Sequence, residues 1–276
     1  MNAHNENLAD KRRILIFTVL ALALAAVASA LRILCLFFFY DKIGYYQRGE
    51  ILPIISNIFY ATSVVFFALA ARFIIKPQKQ VAPLSKPSRV AALLPLCATV
   101  FYLINYFLVG VDSPKWYDYA LLVCGIISAI FFASLAFCSQ PSNITALTGV
   151  GAIVWFASAA MKSYLDFFVP MNSPDKLFFQ LGALGATLIV FCEIRALYGI
   201  GQPRAYLFGF FAGILAICTS AIPSLIASAN DIFASYTLAN EDIVMLTLAI
   251  YAAVRLLTSK QAEDQEQNEA ADSTAE

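Results

Sequence analysis

The chain has 276 residues, of which 61% are hydrophobic and 13% charged, and its 18 basic residues balance its 18 acidic ones. A soluble globular protein is about half apolar and about a quarter charged. The composition and a mean hydropathy of +0.74 therefore exclude an ordinary soluble domain. The apolar residues form blocks about as long as the ~20 residues that cross a bilayer as a helix. We expect the lipid bilayer, and no nucleic acid, as the main partner.

The apolar blocks predict an all-α, polytopic transmembrane bundle of eight membrane-spanning helices. A polar N-terminal tail (1–13) precedes the transmembrane domain (14–258), and an acidic tail without aromatic residues (259–276) follows it. That last composition is typical of disorder. The eight predicted spans cover residues 14–40, 51–75, 90–110, 120–138, 146–168, 177–200, 205–228 and 243–258.

The first apolar block allows two interpretations. Its first half, with Ala28-Ser29-Ala30 after an apolar run, has the pattern of a cleaved signal peptide. The block continues through Leu31 to Tyr40, which a mature soluble N-terminus would not need. We therefore expect an uncleaved first span, and a mature chain that begins at Leu31 would contradict the eight-span model.

The distribution of basic residues predicts the orientation. If the N-terminus is cytoplasmic, the inward segments hold twelve Lys or Arg residues and the outward side holds five. This asymmetry follows the positive-inside rule and places both termini in the cytoplasm. We expect a multi-pass protein of the plasma or inner membrane. The four helices that enter from outside begin near an acid (Glu50, Asp118, Asp175 and Asp242), which we interpret as helix N-terminal charges without a further role.

The central hairpins 90–138 and 146–200 resemble each other at an offset of 60 residues. Eight of 34 aligned pairs are identical, among them Ser113/Ser173 and Pro114/Pro174, where Ser would cap a helix and Pro would occupy its first position. Duplication and chance in apolar sequence both remain open. The second hairpin differs by its polar residues, since Asp166, Gln180, Glu193 and Arg195 replace Tyr106, Ala120, Ala133 and Leu135.

The candidate ligand-binding residues lie near the outer ends of the spans. Lys162 and Asp166 are four residues apart and share one helix face. They form either an ion pair at the headgroups or an outward polar pocket. Arg32 can extend to the headgroups, or it can pair with Asp166, which we favour, or with Asp41 or Asp231. Gln180 lies across the turn from Asp166, and Asn105, like Asn57, is a single amide in an apolar helix that is expected to bond another helix.

Two further features concern helix packing. Gly209 and Gly213 form a G-x-x-x-G pattern, which permits close contact with another helix of the bundle. Pro223 and Pro95 lie within predicted spans, where a proline can expose backbone groups to a substrate or simply be tolerated.

Signatures of catalysis are missing from the sequence. It holds no H-E-x-x-H, G-x-S-x-G, P-loop or dinucleotide-binding pattern, and its single histidine, His4, lies in the N-terminal tail. Its six cysteines lie in or beside apolar segments without a C-x-x-C pair. We therefore expect neither an enzyme nor a metal or other cofactor.

The segment 172–195 carries an Asn-Ser-Pro turn, then Gln180 and a Glu-x-Arg helix end. In this hairpin the chain resembles a group of uncharacterised bacterial multi-span integral membrane proteins. The resemblance covers under a sixth of the chain and implies a membrane location, with no particular activity.

Two functional hypotheses follow. The first is binding or transport of a small solute or lipid through an outward-facing pocket between spans 1, 5 and 6. The second is a non-catalytic membrane scaffold or sensor subunit that contacts a protein partner on the cytoplasmic face through the basic loop 76–89 and the acidic tail. The apolar midplane of the spans disfavours ion transport and leaves apolar or amphipathic ligands open.

Overall fold

The computed structural model describes residues 2–41, 44–47, 49–74, 84–109, 114–138, 142–165, 173–200, 202–230 and 239–258, with side chains described from Arg12 onward except at Ile74, Val109 and Ala239. Within these residues the chain is all-helical, with eight α-helices and a single π-helical turn that extends the second helix. The helices are α1 (Asn2–Phe38), α2 (Ile51–Leu69, followed by the π-turn Ala70–Ile74), α3 (Lys86–Val109), α4 (Trp116–Phe137), α5 (Asn143–Leu165), α6 (Pro174–Leu197), α7 (Pro203–Ala229) and α8 (Ala239–Leu257).

Seven of these helices, α1 to α7, are long and apolar enough to cross a membrane. The eighth is not among them, because α8 carries Glu241, Asp242 and Arg255 within 19 residues. The all-helical, membrane-type fold is thus confirmed, whereas the eighth crossing and the orientation stay predictions. Helix α1 is longer than predicted, since it begins at Asn2 and includes the polar residues assigned to a tail. The tail 259–276 lies outside the described residues.

Helix α7 is the centre of the bundle. It packs against α6, α1 and α8. Within α7, 78% of the residues of an 18-residue apolar stretch are buried. Close approach to α6 depends on glycines, because a Cβ at Gly213 would lie 2.9 Å from the carbonyl oxygen of Gly185. The G-x-x-x-G pattern therefore serves contact within the bundle, as predicted. Helix α3 packs between α8 and α4, and α5 packs between α4 and α6. Helix α2 lies at the periphery of the bundle, against α1 and α7.

The helix start at Ser173 is confirmed in detail. The Ser173 side chain accepts a hydrogen bond from the backbone N–H of Lys176 at 3.3 Å, and Pro174 occupies the first turn. In the first hairpin, Pro114 does not occupy the first position of a helix. There α4 begins after Lys115, and Asp118 accepts a bond from the Lys115 backbone N–H at 2.9 Å. Ser113 lies outside the described residues.

Candidate functional site

The first polar group is the Arg32 cluster, formed by Arg32 of α1, Asp175 of α6 and two backbone carbonyls of α7. Arg32 and Asp175 are each 1% exposed, and Arg32 Nη2 lies 2.6 Å from Asp175 Oδ1. The guanidinium also stacks over the ring of Phe178, 4.2 Å from its centroid. Asp175 lies in the first turn of α6, as predicted, and is in addition a buried counter-ion of Arg32, which the sequence analysis did not anticipate.

Pro223 explains why Arg32 contacts backbone. A proline lacks the N–H that would bond the carbonyl four residues earlier, which here belongs to Thr219. Arg32 Nη1 donates to that oxygen at 2.7 Å and to the Ser220 oxygen at 3.2 Å. Helix α7 continues through Pro223, so the freed carbonyl is occupied by an arginine of the same chain.

The turn after α1 lies over the Arg32 cluster. Its two sides meet at a bridge between Tyr40 and Tyr46, and the Tyr45 backbone N–H donates to Asp41 Oδ1 at 2.7 Å. Burial raises the pKa of the Tyr46 hydroxyl to about 12, although the nearby Arg32 charge opposes this shift. Tyr46 is thus a mostly buried neighbour of the Arg32 charge.

The second polar group is the Lys162 cluster, where α3, α4, α5 and α8 meet. Lys162 Nζ lies 3.1 Å from Glu241 Oε1 and 4.0 Å from Asp118 Oδ1, and the Lys162 side chain is 22% exposed. Asn105 of α3 donates to the Asn240 side chain beside it, at 3.5 Å. One partly exposed cation thus faces two buried carboxylates, which leaves a formal excess of one negative charge.

The third polar group lies at the opposite end of α6 and α8. Glu193 Oε1 lies 3.1 Å from Arg255 Nε, and both side chains are almost fully buried. The Tyr206 hydroxyl of α7 donates to Glu193 Oε2 at 3.0 Å. From the sequence, Glu193 was singled out as a polar residue of the second hairpin, and Arg255 was not predicted as its partner. The opposite charges near the same ends of two helices could have suggested the pair.

A fourth polar contact joins α7 to the start of α8. The Ser224 hydroxyl donates to Asp242 Oδ2 at 2.5 Å, and Asp242 is fully buried. Every charged residue of α8 therefore has a partner on a neighbouring helix: Glu241 contacts Lys162, Asp242 contacts Ser224, and Arg255 contacts Glu193.

A groove between α5 and α6 provides a cavity of about 440 Å³. Its wall is mainly apolar, with small alanines on both helices that leave the space open, and its polar side chains include Gln180 and Thr187. The Thr187 hydroxyl donates to the Ala183 carbonyl of its own helix at 2.9 Å. The Gln180 side chain has no hydrogen-bond partner within the part of the chain that the structure describes.

The predicted site residues fall into three places. Arg32 belongs to its own cluster with Asp175, Lys162 and Asn105 belong to the second group, and Gln180 lines the groove. Helix α1 packs mainly against α7, whereas α5 packs against α4 and α6, so Arg32 and Lys162 do not face a common pocket. Asp166 lies outside the described residues, as do Asp231 and most of the loop 76–89.

Comparisons of the chain with models of known protein families, with curated proteins and with solved structures find no match.

Proposed function

We propose that this protein binds an amphipathic small molecule or a lipid in the groove between α5 and α6, entered from the outer half of the bilayer. The observation that carries the proposal is the groove itself, an apolar cavity of about 440 Å³. Near the end that we expect to face outward lies the amide of Gln180, which has no hydrogen-bond partner among the described residues. A pocket was expected from the sequence between spans 1, 5 and 6, and the proposed site lies between α5 and α6 alone.

The size and lining of the groove suit such a ligand. Small-molecule sites are usually apolar clefts of about 300–1,000 Å³ with a few polar groups that orient the ligand. Gln180 lies six residues after the start of α6, about 9 Å along its axis. Its amide can bond a polar head at that depth, while the alanines and Phe156 contact an apolar tail.

The chemistry favours binding over ion conduction. The charged clusters of the described residues lie towards the two ends of the helices, and each charge contacts an oppositely charged or hydroxyl group. Between them the core consists of side chains such as Phe210, Ile214 and Ile217. Among the described residues an ion would find no continuous polar lining there, whereas an amphipathic ligand needs only the groove.

The proposal includes eight membrane crossings with both termini in the cytoplasm of the cell. Helix α8 has 19 residues and is about 28 Å long, close to the ~30 Å of a bilayer core. Its three charges contact neighbouring helices, which lowers the cost of carrying them in a span. A reporter fused after residue 276 is expected on the cytoplasmic side, and an external reporter would contradict the eighth crossing.

The binding test uses purified protein in detergent, with its melting temperature followed against a panel of lipids and amphipathic small molecules. Gln180→Leu removes the polar group, and Ala157→Phe fills the groove from an exposed position on α5. Val123→Phe places a similar aromatic ring on the exposed side of α4, away from the groove, and serves as the control.

We expect at least one amphipathic compound to raise the melting temperature of the wild type and of Val123→Phe, with a weaker or absent shift for the two groove variants. Equal shifts for all four proteins would show non-specific contact with the apolar surface. If no compound acts through the groove, the scaffold or sensor hypothesis gains support.

A further inference from the structure

An asparagine lies on the outer side of α2, where no other part of the described chain covers it. Asn57 is exposed, and its side chain has no hydrogen-bond partner within the described residues. Asn105 is the contrasting case, because its amide reaches Asn240 on another helix of the same chain. Both were expected to bond a neighbouring helix, and only Asn105 finds one within the bundle.

The depth of Asn57 makes an unpaired amide costly. It lies six residues after the start of α2, about 9 Å along a helix that is long and apolar enough to cross a membrane. Lysine and arginine reach the headgroups with long side chains, but an asparagine amide is two bonds from its Cα and stays at that depth. In hydrocarbon there is no water to satisfy its donor and acceptor.

The surroundings of Asn57 permit close contact with another helix. Ala61, Val65 and Ala68 follow it at helical spacing on the same exposed side of α2. A neighbouring side of α2 faces the bundle and buries Pro53, Ser56, Ser63 and Phe67. Small side chains at such positions let two membrane helices approach, and an amide can then bond across the interface.

We propose that this face of α2, defined by Asn57, Ala61, Val65 and Ala68, is the contact between two copies of this chain. An amide carries a donor and an acceptor, so it is complementary to itself. A two-fold axis brings the same residue of both copies together, which allows Asn57 of each copy to donate to and accept from the other. This contact satisfies the amide without requiring any other protein.

The experiment measures association of the full chain in lipid bilayers, by energy transfer between labels at the C-terminus as the protein is diluted with lipid. We expect the wild type to form dimers and Asn57→Leu to associate about 3- to 30-fold more weakly, as expected for loss of a membrane hydrogen bond. Ala61→Phe, which separates the helices, is expected to weaken association as well.

Two controls separate this contact from folding. Asn105→Leu removes an amide inside the bundle and is expected to leave association unchanged. Because Asn57 is exposed, Asn57→Leu is expected to keep the wild-type melting temperature under monomeric conditions. Wild-type protein that stays monomeric at all dilutions, or an Asn57→Leu protein that associates like the wild type, would overturn the proposal. Cross-linking from position 57 to a different membrane protein, in place of a second copy, would overturn it too.

Discussion

The Arg32 cluster and the Lys162 cluster contain the same kinds of group and differ in how completely they are enclosed. Arg32 is 1% exposed and contacts one carboxylate, two carbonyls and an aromatic ring. Lys162 is 22% exposed and lies between two carboxylates. The first arrangement leaves little room for a ligand and connects α1, α6 and α7, whereas the second retains access from outside. A charge within an apolar segment is therefore not by itself a sign of a binding site.

The largest effect is expected from the Arg32 cluster. Arg32→Leu leaves Asp175 buried beside an apolar side chain and frees the Thr219 carbonyl, so we expect a loss of about 3–5 kcal/mol of folding free energy. Asp175→Leu should cost a similar amount, and the double variant should cost much less, because an apolar pair replaces a broken ion pair. The measurement compares the melting temperatures of the wild type, the two single variants and the double variant in one detergent. Additive losses of stability would contradict the pairing of Arg32 with Asp175.

A smaller loss is expected at the contact between α7 and α8. Ser224→Ala removes the hydroxyl that bonds the buried Asp242, and we expect about 1–3 kcal/mol of destabilisation. Ser228→Ala, one turn further along α7 on a half-buried residue, is the matched control and should change the melting temperature less. Equal changes in melting temperature for the two variants would show that the hydrogen bond to Asp242 adds no measurable stability.

Lys162→Met tests the Lys162 cluster, which is the more exposed of the two clusters. It leaves Glu241 and Asp118 without their common cation, and we expect a loss of about 1–2 kcal/mol that becomes smaller in high salt, where partly exposed charges are screened. The loss in Arg32→Leu should be nearly independent of salt. Unfolding of both variants at two salt concentrations distinguishes the clusters, and equal salt dependence would remove the distinction between them.

The smallest stability effect is expected at Gln180. Its side chain has no partner among the described residues, so Gln180→Leu should change the folding free energy by less than about 0.5 kcal/mol. Any loss of amphiphile binding in this variant would then report on the groove alone. A large drop in melting temperature would show instead that Gln180 supports the fold, and the groove would need to be probed by Ala157→Phe.

Local sequence determined the helices and several of their ends. Blocks of about twenty apolar residues have to satisfy their backbone within the segment, so they form helices. Ser173 and Pro174 began α6 as predicted, because a cap and a fixed φ angle depend only on adjacent residues. A close helix contact at Gly213 also followed from spacing, since small residues mark where helices can approach, whereas its partner Gly185 was not predicted.

The choice of ion-pair partners was decided by the tertiary structure. From the sequence, the expected partners of Arg32 were Asp166, Asp41 and Asp231, and Asp175 was not among them. The packing of α1 beside α6 and α7 brought Asp175 within 2.6 Å, while Lys162 met Glu241 of α8, 79 residues further along the chain. Sequence alone thus determined that this protein is a bundle of membrane-type helices. Which charges neutralise each other, and which amides stay unpaired, depends on lateral helix neighbours, because apolar faces of similar composition can pack in many orders.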